Sequence, residues 1–224
     1  MLLFSKNAMA LEVNEPESMD VNSRGSLLNN SDKNNTSDPM NSNKFFSDYF
    51  IKIDEKIRSI DIALLEQCAQ LILKMHLSKR KLLIVGNGGS AAMASHLSVD
   101  FLKTAGIRAM NFNEANLITC FSNDYGYERW VEKAFEMYAD PGDLAVIISS
   151  SGCSPNLINA ALKAREMQMN IITVTGFKAD NTLRTLGDIN LWVDSDSYNI
   201  VEMTHHVWLL AIVDYLVANK VNGL

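Results

Sequence analysis

Apolar and polar positions change their rhythm twice along the chain. Residues 1–43 show no period: Leu28 to Ser37 reads Leu-Asn-Asn-Ser-Asp-Lys-Asn-Asn-Thr-Ser. Such a segment buries too little apolar surface to offset the entropy of ordering it, so a disordered Asn/Ser-rich tail is predicted. From Phe45 to Leu77 apolar residues recur at three and four: Phe46, Tyr49, Phe50 and Ile53, then Ile57, Ile60, Leu64, Leu65, Cys68, Leu71, Ile72 and Met75. That is a helical period. The stripe is wide for one helix on a sheet. It reads either as two helices or, the reading preferred, as one long helix over about 44–78 that also packs against another subunit.

Beyond Leu77 the pattern alternates. Short continuous apolar runs predict strands at Leu82–Val85, Arg108–Phe112, Leu144–Ile148, Ile171–Thr175 and Ile189–Val193. Helices are predicted at Ala91–Lys103, Ala115–Cys120, Glu128–Tyr138, Pro155–Met167, Thr182–Leu186 and Ile200–Asn219. Continuous apolar strands between helices imply an α/β fold whose parallel sheet is covered on both faces. Ligands of such sheets bind beyond the carboxyl ends of the strands.

Composition narrows the class. The chain has 224 residues, 47% of them apolar, enough for one well-buried domain over 44–224. A net charge of −6 argues against direct nucleic-acid binding, which depends on Lys and Arg neutralising phosphates. Cys68, Cys120 and Cys153 are far apart and form no CxxC, which suits a reducing compartment. No run approaches the roughly 20 apolar residues of a membrane helix. The opening Met-Leu-Leu-Phe-Ser-Lys is soon followed by Glu12, Glu15, Glu17 and Asp20, unlike a signal or transit peptide. A cytoplasmic protein without membrane contact is expected, with Met19 and Met40 as internal candidates for the translation start.

Two turns carry candidate chemistry. In Gly86-Asn87-Gly88-Gly89-Ser90, three glycines permit close backbone approach, and Ser90 is placed to cap a helix from Ala91. Free N–H groups at that helix end favour an anion. A bare strand-to-helix turn has the same sequence, and neither GxGxxG nor a Walker loop is present. The second turn, Ser149-Ser150-Ser151-Gly152-Cys153-Ser154, has the same layout, with Ser154 a candidate N-cap before Pro155. Its position between a buried strand and a Pro-started helix favours an anion site over a solvated loop. Asn123-Asp124 offers bonds to sugar hydroxyls, or simply ends a helix. His96 and Asp100 share a helical face, as do Glu202 and His206, while His205 shares the face of Val201 and Leu209. Each of these also reads as a solvated or structural residue.

Taken in order, Gly86 to Ser90, Asn123-Asp124-Tyr125-Gly126, Ser149 to Ser154, Val174-Thr175-Gly176 and Ile200-Val201-Glu202 resemble the SIS (sugar isomerase) domain over about residues 45–220. Within that family the chain is similar to the phosphoheptose isomerase branch, which converts sedoheptulose 7-phosphate to D-glycero-D-manno-heptose 7-phosphate. The resemblance implies a three-layer, flavodoxin-like sandwich around a five-stranded parallel sheet, with an N-terminal helical extension. It implies a homotetramer with active sites between subunits. Substrate contacts are implied at Asn87, Gly88, Gly89, Asn123, Asp124, Ser149, Ser150, Ser151 and Ser154, with Ser90 beside them.

For proton transfer and zinc the family uses a His and a Glu four apart on the first helix after the Gly-rich turn. It adds a Gln and, eight residues later, a His on the last helix. Here the first pair is His96 and Asp100, and the second is Val201 and Leu209. Zinc is the implied cofactor, on an incomplete ligand set whose candidates are His96, Asp100 and His205. Isomerisation through an enediol needs a base beside the carbonyl and an acid at its oxygen. Asp100 is expected as the base and His205 as the acid, with His206 as its substitute. The rival reading is a non-catalytic SIS module that binds a sugar phosphate or a protein, like the member associated with the replication initiator DnaA. Val201 and Leu209 favour it; the two loops and Asp100 argue for retained ligand binding.

Overall fold

Five runs of apolar residues pair into one sheet. The structure, a computed structural model, describes residues 41–219. The strands are β1 (Leu82–Gly86), β2 (Ala109–Met110), β3 (Leu144–Ser149), β4 (Asn170–Thr175) and β5 (Ile189–Trp192). All pairings are parallel, in the order β2-β1-β3-β4-β5. The helices are α1 (Ser42–Ile57), α2 (Ile62–Leu77), α3 (Gly89–Lys103), α4 (Ala115–Tyr125), α5 (Trp130–Tyr138), α6 (Pro155–Glu166) and α7 (Tyr198–Ala218), with a 3-10 turn at Leu183–Thr185.

Side chains alternate across each strand, so the sheet feeds two cores. Leu82, Ile84, Val146 and Val174 join Ile72, Leu97, Phe101 and Trp208 from α2, α3 and α7. Leu83, Val85, Ala145 and Ile147 join Phe135, Leu157 and Ala160 from α5 and α6 on the other face. Every residue of β1 and β3 is buried, which explains their unbroken apolar sequence. The three-layer α/β sandwich is therefore as expected.

Buried Asp143 fixes the amino ends of β1 and β3. Its carboxylate accepts the backbone N–H of Lys81 at 2.9 Å and of Asp140 at 2.8 Å, and lies 2.6 Å from Lys81 Nζ. With the entrances tied, Gly86 stays opposite Ile148 at the far ends, where both small-residue turns begin.

Several expectations change. The single helix over 44–78 is two. Asp61 takes an extended conformation, and its carboxylate accepts Ala63 N–H at 3.0 Å, starting α2 afresh. The loss of a continuous helix reflects that cap outcompeting helix propagation. Of the tail predicted over 1–43, residues 1–40 lie outside the described residues, and Ser42 and Asn43 already belong to α1. The strand predicted at 108–112 pairs only at Ala109 and Met110, an edge position. Among the described residues, α7 is long and apolar enough to cross a membrane, with mean hydropathy 1.4. Half of that stretch is buried inside the protein, so its apolarity is that of a core helix.

Candidate active site

The strand order reverses between β1 and β3, which lie side by side although their following connections leave to opposite faces. Such a switch point opens a crevice at the carboxyl ends of the strands. The Gly-rich turn leaves β1 there and the serine turn leaves β3 there. Both expected loops thus come together by topology alone.

The helices starting in these loops lack side-chain caps, whereas α2 and α4 are capped by Asp61 and Glu114. Ser90 was expected to cap a helix from Ala91. Instead α3 begins at Gly89, behind Gly88 with φ 55°, and Ser90 sits buried inside the first turn. The helix starts two residues early because Gly88, at φ 55°, takes a positive-φ conformation that glycine adopts readily and a serine N-cap would not need. Ser154 does occupy the N-cap of α6, but its hydroxyl lies 3.5 Å from Ser149 Oγ and makes no cap bond. The N–H groups of Ser90 and Leu157 turn to the Asn87 and Ser154 carbonyls, at 3.0 and 3.1 Å, which leaves one donor at each start, Gly89 N–H and Asn156 N–H, for a ligand.

The two ends are not equivalent. The carboxylate of Glu202, from α7, lies directly against the Cα of Gly89. Burial raises its pKa above the usual carboxylate range. The start of α3 thus already faces an acidic group, while the start of α6 faces the serine hydroxyls. In the serine loop, Ser149 Oγ accepts Gly152 N–H at 3.2 Å and Ser151 Oγ accepts Cys153 N–H at 3.3 Å. Ser150 Oγ is buried and unpartnered, and its carbonyl accepts Gly176 N–H at 2.9 Å. Gly152 has φ 63°, and a Cβ there would overlap the Asn181 side chain.

Asn156 joins the loops and was not anticipated. Buried in the first turn of α6, it exchanges two amide bonds with Asn87: Asn87 Nδ2 donates at 3.0 Å and Asn156 Nδ2 donates back at 2.9 Å. Tyr127 OH donates to Asn87 Oδ1 at 3.4 Å, bringing the segment after α4 to the same loop. Asn123 and Asp124 end α4 exposed, with Asn123 Nδ2 donating to Asp124 Oδ1 at 2.8 Å; among the described residues no hydrogen bond joins their side chains to the two loops.

The titratable groups gather on the seam between α3 and α7. His96 Nε2 lies 3.1 Å from Asp100 Oδ2, and His96 Nδ1 lies 3.0 Å from His206 Nε2. Burial first, then His96, holds His206 below the usual imidazole range, against the pull of Asp100. His205, expected as the acid, is elsewhere. It is fully buried, with Nε2 2.9 Å from the Thr175 carbonyl at the end of β4, and burial drives its pKa down to about 4. It shares the inward face of Val201, which packs against Gly176, and of Leu209. One residue along α7 turns the side chain by about 100°, from core to seam. His205, held in the core, does not reach the seam as acid or metal ligand, and it is His206 that stands beside His96.

The zinc set implied by resemblance does not assemble here. Val201 and Leu209 are apolar and buried, His205 is held in the core, and both nitrogens of His96 are engaged. Among the described residues no three His, Cys, Asp or Glu side chains converge on a point where an ion could sit. The residues do not fit the family's zinc site.

A doubly wound sheet with two uncapped helix starts at its switch point, one of them lined by serine hydroxyls, defines a binding domain for small anionic ligands. The chain belongs to the SIS domain family, whose pattern matches residues 46–176, and to its phosphoheptose isomerase branch. It is 35% identical over 159 residues to the phosphoheptose isomerase of Geobacter sulfurreducens, covering 68% of this chain and 82% of that one. It is 35% identical over 144 residues to that of Bordetella avium, covering 60% and 72%. The solved phosphoheptose isomerase of Neisseria gonorrhoeae superposes with a TM-score of 0.73 at 26% identity, covering 79% of this chain and 99% of that one.

Proposed function

We propose that this protein is an aldose–ketose isomerase of a phosphorylated sugar, interconverting sedoheptulose 7-phosphate and D-glycero-D-manno-heptose 7-phosphate. The observation carrying this reading is the paired loop at the β1/β3 switch point, tied by the Asn87–Asn156 amide exchange, beside a cluster of proton-carrying groups. The serine loop and the uncapped start of α6 bind the phosphate, because the start of α3 already faces Glu202. Asn87, Gly88, Gly89 and Ser90 line the sugar side, with Asn123 and Asp124 contributing hydroxyl contacts. Holding the phosphate supplies remote binding energy that positions the reacting carbons. Proton transfer falls to Asp100, His96 and His206.

The same reading makes the protein a cytoplasmic homotetramer with sites shared between subunits. Its support is the row of exposed apolar residues on α1, where Phe45, Phe46, Phe50 and Ile51 are each about half exposed or more. A monomer gains nothing by exposing such a row. The three free cysteines agree with a reducing compartment.

Incubating purified protein with sedoheptulose 7-phosphate and following the aldose by NMR tests the reading. The aldose accumulates to an equilibrium ratio. Absence of conversion for every five- to seven-carbon ketose phosphate refutes catalysis. That result would favour the non-catalytic module, to which buried Val201 and Leu209 give some support.

A further inference from the structure

We propose that proton transfer in this protein runs through a metal-free chain, Asp100–His96–His206, with His206 Nδ1 as the atom that exchanges protons with the sugar. The inference deepens the isomerase reading and rests on it for the identity of the sugar. It arises from a mismatch: the positions that complete the family's metal site, Val201 and Leu209, are core residues here, and His206, between them on the same helix, has joined the seam.

The geometry fixes the direction of the chain. An ionised carboxylate only accepts hydrogen bonds, so the His96 nitrogen 3.1 Å from Asp100, Nε2, carries a proton. In a neutral imidazole the other nitrogen then has the lone pair, and His96 Nδ1 accepts. Its partner 3.0 Å away, His206 Nε2, must donate. His206 Nδ1 is left with a lone pair and no hydrogen-bond partner among the described residues. Asp100 is thereby a positioning residue: it orients His96 and sets its tautomer, as an acidic partner does for a histidine base elsewhere. Glu202, one turn before His206 on α7, lies against Gly89 of the first loop, so the seam begins beside that loop.

The steps balance. His206 Nδ1 takes a proton from the first carbon of the ketose, and the C–H electron pair becomes the double bond of the enediol. As Nδ1 gains that proton, Nε2 can pass its own to His96 Nδ1, so the positive charge reaches the imidazole beside Asp100. Reversal of the relay returns a proton from His206 to the second carbon, and the double-bond pair forms the new C–H bond. The hydroxyl proton on the first carbon's oxygen passes through solvent water to the second carbon's oxygen as the aldehyde forms. Nothing is oxidised or reduced overall, and no metal is called for.

Two measurements decide the matter. The chain has four histidines, which keeps their spectra simple. Nitrogen-15 NMR of the full chain at neutral pH reports each tautomer without any substrate: His96 and His206 are both Nε2–H, and His206 with its proton on Nδ1 overturns the chain whatever the activity. Kinetics on sedoheptulose 7-phosphate follow. His206→Gln lowers kcat by about 10²- to 10⁴-fold with KM within about threefold, the scale of a lost acid–base group. Added imidazole restores part of kcat to His206→Ala. Asp100→Asn lowers kcat less, and changes the His96 tautomer in the NMR spectrum. Wild-type protein treated with chelator keeps its activity and less than one metal per chain. Wild-type turnover with unaltered kcat in His206→Gln overturns the relay while leaving the isomerase reading intact. So does chelator inactivation reversed by stoichiometric zinc. Expected tautomers in a protein that converts no sugar phosphate uphold the chain's geometry and refute the isomerase reading instead.

Discussion

Replacing Asn156 by alanine tests whether the two loops act as one unit. Asn156 is buried, and its amide makes both of its bonds to Asn87 at 2.9 and 3.0 Å. A neutral side-chain bond contributes about 1 kcal/mol net, so removing two costs about 2 kcal/mol. The loss stays near that figure because Asn87 is only half-buried, so water and Tyr127 can meet its freed amide. Part of the energy is lost to folding and part to the positioning of Asn87 against the sugar; an even split of about 1 kcal/mol each raises KM about fivefold. Asn156→Asp goes further. It still accepts from Asn87 Nδ2, but it sets a carboxylate oxygen against Asn87 Oδ1 and adds a negative charge near the phosphate. Urea denaturation gives the stability change, and initial rates on the sugar phosphate give KM and kcat separately. If Asn156→Ala keeps its urea midpoint and its KM within about twofold, the amide pair does not hold the loops together and the argument fails.

Other outcomes follow from the same structure. Gly152→Ala forces a left-handed residue at φ 63° into the Asn181 side chain, which is itself bonded to the Gly176 and Lys178 carbonyls, so urea denaturation should show a loss of at least ~2 kcal/mol. His205 has a folded pKa of about 4 against an ordinary 6.5, so it is neutral in both states above 6.5. As pH falls from 6.5 to 4 only the unfolded chain takes the proton, and stability drops by roughly 3 kcal/mol before levelling off. A urea series across that window should be flatter for His205→Gln, and an equally steep series removes His205 as the cause. Phe46→Glu together with Phe50→Glu should shift sedimentation from the assembled species to smaller ones; unchanged sedimentation refutes α1 as the assembly face.

The strand pattern was legible because every residue of β1 and β3 is buried, leaving no ambiguity of face. The loops were legible because glycine and serine between an apolar strand and a helix leave few alternatives. The break before α2 was marked by Asp61, a good cap that the wide apolar stripe overshadowed. His205 was misplaced although the sequence held the correction. With Val201 and Leu209 apolar, the face they share with His205 had to be core, so the adjacent His206 was the one left on the seam. Asn156 and the approach of His206 to His96 carry no local signal. They lie 69 and 110 residues from their partners, and only the strand order brings them together.

The seam between α3 and α7 has a consequence for how such a protein diverges. In the reading proposed above, ligand capture rests on the serine loop and the start of α6, which a replacement at His206 of α7 leaves alone. Reactivity depends on which residues of two helices meet, which a single substitution can redraw. Descendants of one ancestor can therefore keep a common appetite for phosphorylated sugars while trading one proton-handling apparatus for another. Here Val201 and Leu209 put aliphatic side chains at the positions that resemble a metal's partners, and His206 meets His96 on the seam instead.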